Sequence, residues 1–364
     1  MTLAKNPRSP LWKLIVFSFL AFLLLLSVLE GLARLPVLDQ ISPYRSMGTF
    51  DSQFEIKWFR LQDYVQQYGG VDILFVGNSL VNTGIDPDVV AKAYYEQTGI
   101  QARMFNFGVE GTTVSPNSVI TRLLVERYHP ALVIYVTEMR DYIAGNAVDF
   151  ESRFLADPWI RYQRGDFTIF GWLVDHSAGL QKYLPYRDWM LADFPGTIFG
   201  YINRYNTTTL SGYEADYEIG TNIDVLPDPA NPQDATYFKA YGNYQIAPSR
   251  LAELKDILDF SRGQGTAVWV VEMPVHPTFY TYVGGESVHQ QFQQTISTTV
   301  QTNGGWFLPA TACLDVIPLN GRSNRWHLNF QGAPLFSTCL GQQLAFLGSQ
   351  QNTTFIKPAA GDGK

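Results

Sequence analysis

Phe75-Val76-Gly77-Asn78-Ser79-Leu80 sets a serine hydroxyl just past a short apolar run. A serine there can lie among free backbone N–H groups, but it turns nucleophilic only beside a base. Far along the chain, Asn324-Arg325-Trp326-His327-Leu328-Asn329 carries a histidine ahead of Gly332-Ala333 and an apolar stretch. An imidazole is suited to take a hydroxyl proton near neutral pH. Ser79 with His327 as base is therefore a candidate pair for acyl transfer, in which the serine oxygen forms and then releases an ester. His276, set between Pro274 and Pro277, is a candidate substrate contact or a rigid loop residue. The five histidines and two cysteines show no metal-ligand spacing, so neither a metal nor a cofactor is expected.

Residues so far apart meet only if a regular scaffold brings them together. Val71–Val76 and Ala131–Val136 are short, almost continuously apolar runs, the pattern of buried parallel strands. Gln101–Phe107 and Thr266–Val271 suit two more. Between them fall helical stretches: Asp86 as N-cap with Pro87 behind it through about Tyr95, Val114–Tyr128, Pro248–Arg262 closed by Gly263, Ser287–Thr302 and Gly332–Leu347. Strands alternating with helices imply an α/β fold with a parallel sheet. Residues 142–247 break the alternation. They hold 21 aromatics in 106 positions, a higher density than the rest of the chain, and read as an insertion over the sheet's carboxyl edge.

The N-terminus carries a different signal. Leu14–Leu29 is free of charge and follows Lys5, Arg8 and Lys13 with no acid among them. At about 1.5 Å per residue this run, extended by Leu11 and Trp12, approaches the ~30 Å of a bilayer core. The basic flank predicts a cytoplasmic N-terminus and an extracytoplasmic body on an uncleaved signal anchor. Cleavage at Gly31-Leu32-Ala33 is the alternative. Residues 35–65, punctuated by Pro36, Pro43 and Gly48, read as a stalk, and 351–364 contain a frayed tail. The net charge of −7, from 26 basic and 33 acidic residues, argues against nucleic acid as a partner.

Gly77-Asn78-Ser79-Leu80, taken with the histidine before the last helix, resembles the SGNH/GDSL hydrolase family. Two intermediate stretches fit the same pattern. Asn106-Phe107-Gly108-Val109-Glu110-Gly111-Thr112-Thr113 is similar to the family's second block. Glu138-Met139-Arg140-Asp141 stands where Gly-x-Asn-Asp is usual. The resemblance covers 71–141 and 248–347 in outline. It implies a three-layer α/β sandwich, SGNH- or flavodoxin-like, over 66–350 with the insertion inside it, behind residues 1–34 as cytoplasmic tip and anchor. It also implies an oxyanion hole from Gly111 and, in place of asparagine, Arg140, whose guanidinium can donate.

Asn324 holds the place of the triad aspartate. An amide can orient an imidazole, but it cannot stabilise the imidazolium as an anion does. Asp315, Asp141 and Glu272 are the acids that could substitute. Val271-Glu272-Met273-Pro274-Val275-His276-Pro277 resembles membrane-anchored members that accompany polysaccharide O-acyltransferases in alginate acetylation and teichoic-acid D-alanylation. The expected function is an esterase or acyltransferase acting on a polysaccharide or other cell-envelope polymer, with a membrane-bound O-acyltransferase as a further expected partner. The alternative is a catalytically weak glycan-binding or assembly protein. In an oxidising compartment the two cysteines, Cys313 and Cys339, would pair and staple the His327 loop.

Overall fold

Five short runs form one parallel sheet: β1 (Ile73–Gly77), β2 (Met104–Gly108), β3 (Leu132–Thr137), β4 (Ala267–Glu272) and β5 (Trp306–Leu308). Every residue of β1, β2 and β3 is buried, which is why they lack a polar face in the sequence. The structure, a computed structural model, describes residues 11–191 and 196–350. The tail expected over 351–364 and the tip at 1–10 lie outside the described residues. Strand order is β2-β1-β3-β4-β5. The chain leaves β1 in one direction to make β2 and returns to its other side to make β3. Such a reversal opens a crevice outside the carboxyl ends of the two strands, where ligands bind in open α/β sheets.

Helices cover the connections. Pro87–Thr98 starts on Asp86, whose Oδ1 accepts from the backbone of Asp88 and Val89, and stops at left-handed Gly99. It packs against the last helix, Gly332–Gln350. Val114–Tyr128 lies against Pro248–Gly263. The element β5 escapes sequence reading because three residues between glycines and a proline carry no period.

The stalk expected over 35–65 needs correction. Ser52–Tyr68 is a helix, capped by Asp51 and ended by Gly69 in the left-handed region, that buries Phe54, Trp58, Phe59 and Leu61. The i, i+4, i+7 spacing of Phe54, Trp58 and Leu61 is the signal, obscured by the charged residues Glu55, Lys57 and Arg60 between them. Lys57 is fully buried on the same helix, its ammonium donating to the carbonyl oxygens of Gly212 and Asn106. Burial pushes its pKa down to about 7.

The chain divides into two units. One comprises Met1–Phe50 with Asp157–Ile202, and the other Asp51–Ala156 with Asn203–Lys364. The aromatic-rich insertion of 142–247 is thus not one body: 157–202 belongs with the N-terminal segment and the remainder with the sheet. In the first unit, Leu11–Ala33 is a single apolar helix long enough to cross a membrane.

Candidate functional site

Ser79 begins the short helix Ser79–Gly84 directly after β1, so its N–H belongs to the helix-start group that has no intrahelical acceptor. Asn78 caps that helix, its Oδ1 accepting from the Leu80 N–H at 2.8 Å. The Asn78 amide nitrogen donates to Asp141 Oδ1 at 2.8 Å. Asp141 Oδ2 accepts from Thr137 Oγ1 and the Glu138 N–H. The turns after β1 and β3 are therefore locked to each other across the strand-order reversal. Burial, and next the Glu138 charge, push the Asp141 pKa up to about 7. Gly77 must be glycine, since a Cβ there would sit 2.6 Å from the Val136 carbonyl oxygen.

The loop after β2 is tied to the same turn. The Gly77 carbonyl accepts from the Val109 N–H at 2.9 Å and Thr112 Oγ1 at 3.2 Å. Gly111 lies between them at φ +76°, a conformation that favours glycine. Arg140 follows β3. Its Nε donates to Glu138 Oε1 at 2.5 Å, and its guanidinium lies 4.9 Å from the Trp326 ring and 5.7 Å from that of Phe279. It stands beside the His327 loop as a charge already paired with Glu138.

His327 Nε2 lies 2.8 Å from Ser79 Oγ, although 248 positions separate the residues. The loop that carries it is firmly built. Arg322 bridges Leu328, and the Ser323 N–H donates to the His327 carbonyl. The Asn329 amide nitrogen donates to the carbonyls of Glu218 and Asn320. Cys313 and Cys339, before and after the loop, are disulfide-bonded with Cα atoms 5.9 Å apart.

Asn324 reaches the other ring nitrogen, and none of the three acids does. Asp315 is exposed, Asp141 binds Asn78, and Glu272 binds His289. Asn324 Oδ1 already accepts from the N–H groups of Trp326 and His327, at 3.0 and 2.8 Å. Its NH2 therefore faces His327 Nδ1, 3.0 Å away. An NH2 group only donates, so Nδ1 accepts and the ring proton sits on Nε2, pointing at Ser79. In this resting form the imidazole donates to the serine. Burial first, and the Arg140 charge second, lower the His327 pKa to about 3.

His276 turns out to serve its own loop. Its Nδ1 bonds Thr278 Oγ1 and caps the turn Pro277–Val283, while its N–H donates to the Arg325 carbonyl at 2.7 Å, steadying the His327 loop through the backbone. His289 shows no partner pattern in sequence, yet its Nε2 lies 2.5 Å from Glu272 Oε1, with both groups buried. Burial lowers its pKa and the Glu272 bond and charge raise it; the net direction is up. The aromatic rim draws Tyr237 from the aromatic-rich stretch 142–247, while Trp326 and Phe279 were missed in sequence reasoning. Trp326 meets Tyr237 of the helix Pro232–Tyr241 edge-on at 5.0 Å and Phe279 at 6.1 Å. The signal available was the tryptophan adjoining His327. Among the described residues, no group of three or more His, Cys, Asp or Glu is placed to hold a metal ion.

No family model and no curated protein matches this chain. Among solved structures, one described as a gut microbial diltiazem-metabolizing enzyme overlaps 78% of the chain at 11% identity, with a TM-score of 0.36. The chain spans about half, 47%, of the length of that protein.

Proposed function

We propose that the sheet-bearing unit is an SGNH-like, three-layer α/β domain performing slow acyl-ester chemistry at Ser79. The observation that carries this reading is the 2.8 Å approach of Ser79 Oγ to His327 Nε2 at the strand-order reversal. The imidazole first shifts its proton to Nδ1, which costs the Asn324 bond, on the order of 1–3 kcal/mol. Nε2 then takes the hydroxyl proton as Oγ attacks an acyl carbonyl. The oxyanion is held by the N–H groups of Ser79 and Gly111 with help from Arg140. The leaving alkoxide takes the proton from Nε2, leaving an acyl-serine that water or a sugar hydroxyl resolves. Trp326 and Tyr237 offer apolar ring faces and edges suited to a glycan, so a polysaccharide or cell-envelope polymer is the favoured substrate. A membrane-bound O-acyltransferase is the favoured partner.

The body is read as extracytoplasmic on a retained anchor. Within the N-terminal unit, the Glu30 carboxylate accepts from the N–H groups of Ala178 and Gly179 and from Ser177 Oγ, at 2.8, 3.0 and 2.7 Å. Cleavage after Ala33 would strip these bonds, which favours retention. The Cys313–Cys339 bond suits an oxidising compartment.

Asn324 favours a second reading, a glycan-binding or assembly protein with a disarmed site. A fluorophosphonate probe separates the two. Slow labelling of the wild type that disappears in Ser79→Ala supports the enzyme. Labelling no faster than in Ser79→Ala, however long the incubation, leaves the binding protein.

A further inference from the structure

Among the described residues, one helix of the N-terminal unit keeps large apolar side chains exposed, although Trp172 stacks on His176 of the same helix and Phe167 meets Tyr162 edge-on. Ile169–His176 is capped by Thr168 Oγ1, which accepts from the Gly171 N–H. Its inner face is fixed: Gly171 and Val174 are buried, and a Cβ on Gly171 would fall 2.5 Å from the Pro158 carbonyl oxygen. Its outer face presents Ile169, Trp172 and Leu173, spaced i, i+3, i+4, at 70, 42 and 42% exposure, and Phe167 just before the helix is 70% exposed. Four large apolar side chains on one outer surface mark a contact with something apolar.

The same unit says what that is. Arg34, directly after the apolar helix Leu11–Ala33, donates from Nη2 to the His176 carbonyl at 3.2 Å. Glu30 holds the next three residues, Ser177, Ala178 and Gly179. Glu30 and Arg34 stand at the end of the apolar helix, where hydrocarbon gives way to headgroups. The carboxyl end of Ile169–His176 is thus fastened at headgroup depth. A short helix with one apolar face and a tryptophan, at that depth, matches an element lying in the bilayer interface.

We propose that Ile169–His176, with Phe167, lies in the outer headgroup region as a second lipid contact beside the membrane span. This rests on reading Leu11–Ala33 as an inserted anchor, and the test separates the two. The full chain is reconstituted in phosphatidylcholine vesicles whose acyl chains are brominated near the headgroup, and quenching of tryptophan emission is compared across variants. Trp172→Phe is expected to lose part of the quenchable emission, and Trp12→Phe another part. Loss in Trp12→Phe with wild-type quenching in Trp172→Phe overturns the lipid contact while the anchor stands. Wild-type quenching in both variants overturns the anchor and the lipid contact with it. Because Trp→Phe keeps an apolar ring at an exposed position, the variant is expected to fold. Ile169→Glu should in turn lower the Trp172 contribution to quenching, and no change there also counts against the contact.

Discussion

Two histidines in the sheet-bearing unit face opposite electrostatics. His289 has a carboxylate, Glu272, at 2.5 Å, and its pKa rises despite burial. His327 has an amide, Asn324, at 3.0 Å and the Arg140 charge nearby, and its pKa falls to about 3. The pairing expected of a catalytic histidine is thus found at the one that does not touch Ser79. A hydrogen-bond partner orients a ring, but only an anion makes protonation tolerable in a buried site. The Ser79 half of the site is held by the helix cap of Asn78 and its bond to Asp141. The His327 half has the geometry without the charge.

Supplying the missing anion is the strongest way to break the contrast. Asn324→Asp keeps an oxygen for the Trp326 and His327 N–H groups and offers the other to Nδ1–H, moving the proton off Nε2. Fluorophosphonate labelling of Ser79 should speed up by about 10³-fold, within the cost known for losing a triad carboxylate. An unchanged rate would show that the tautomer does not limit the chemistry.

Removing the disulfide loosens the loop that holds His327 and leaves His289 on its helix. Cys313→Ser with Cys339→Ser should destabilise the protein by about 3.5 kcal/mol in the loop-entropy account, measured by urea unfolding.

The reverse change at the other histidine is smaller. Glu272→Gln removes the charge behind the raised His289 pKa and should cost about 2–3 kcal/mol at low pH. The sign follows from linkage. A group with a raised folded pKa stabilises fully below its unfolded value, about 6.5, and the contribution is lost as pH rises through the folded pKa. The stability advantage of the wild type over the Gln variant should therefore decline over that interval.

The slightest effect is one of shape. With His327 neutral down to about pH 3, the labelling rate of Ser79 should show no acid limb near pH 6.5. Asn324→Asp should create one by raising the imidazole pKa, and an acid limb at 6.5 in the wild type would refute the lowered value.

The sequence by itself determined most of the scaffold. Val71–Val76 and Ala131–Val136 read as buried strands because both faces of a covered parallel sheet must be apolar, and Asp86-Pro87 read as a helix start because capping is local chemistry. Ser79 and His327 were also legible as a candidate pair, and Asn324 through the resemblance to the SGNH pattern, because the motifs that carry that resemblance are runs of consecutive residues. The helix Ser52–Tyr68 and the three-residue β5 were not, one for its mixed polar content and the other for its brevity. Only tertiary structure decided that 157–202 joins the N-terminal segment, and that Glu272 serves His289 and not His327. It alone decided the direction of the Asn324 amide, because that depends on two backbone N–H groups claiming the oxygen. Pairing across hundreds of residues and the ownership of a lone pair are set by packing, and neither leaves a local pattern to read.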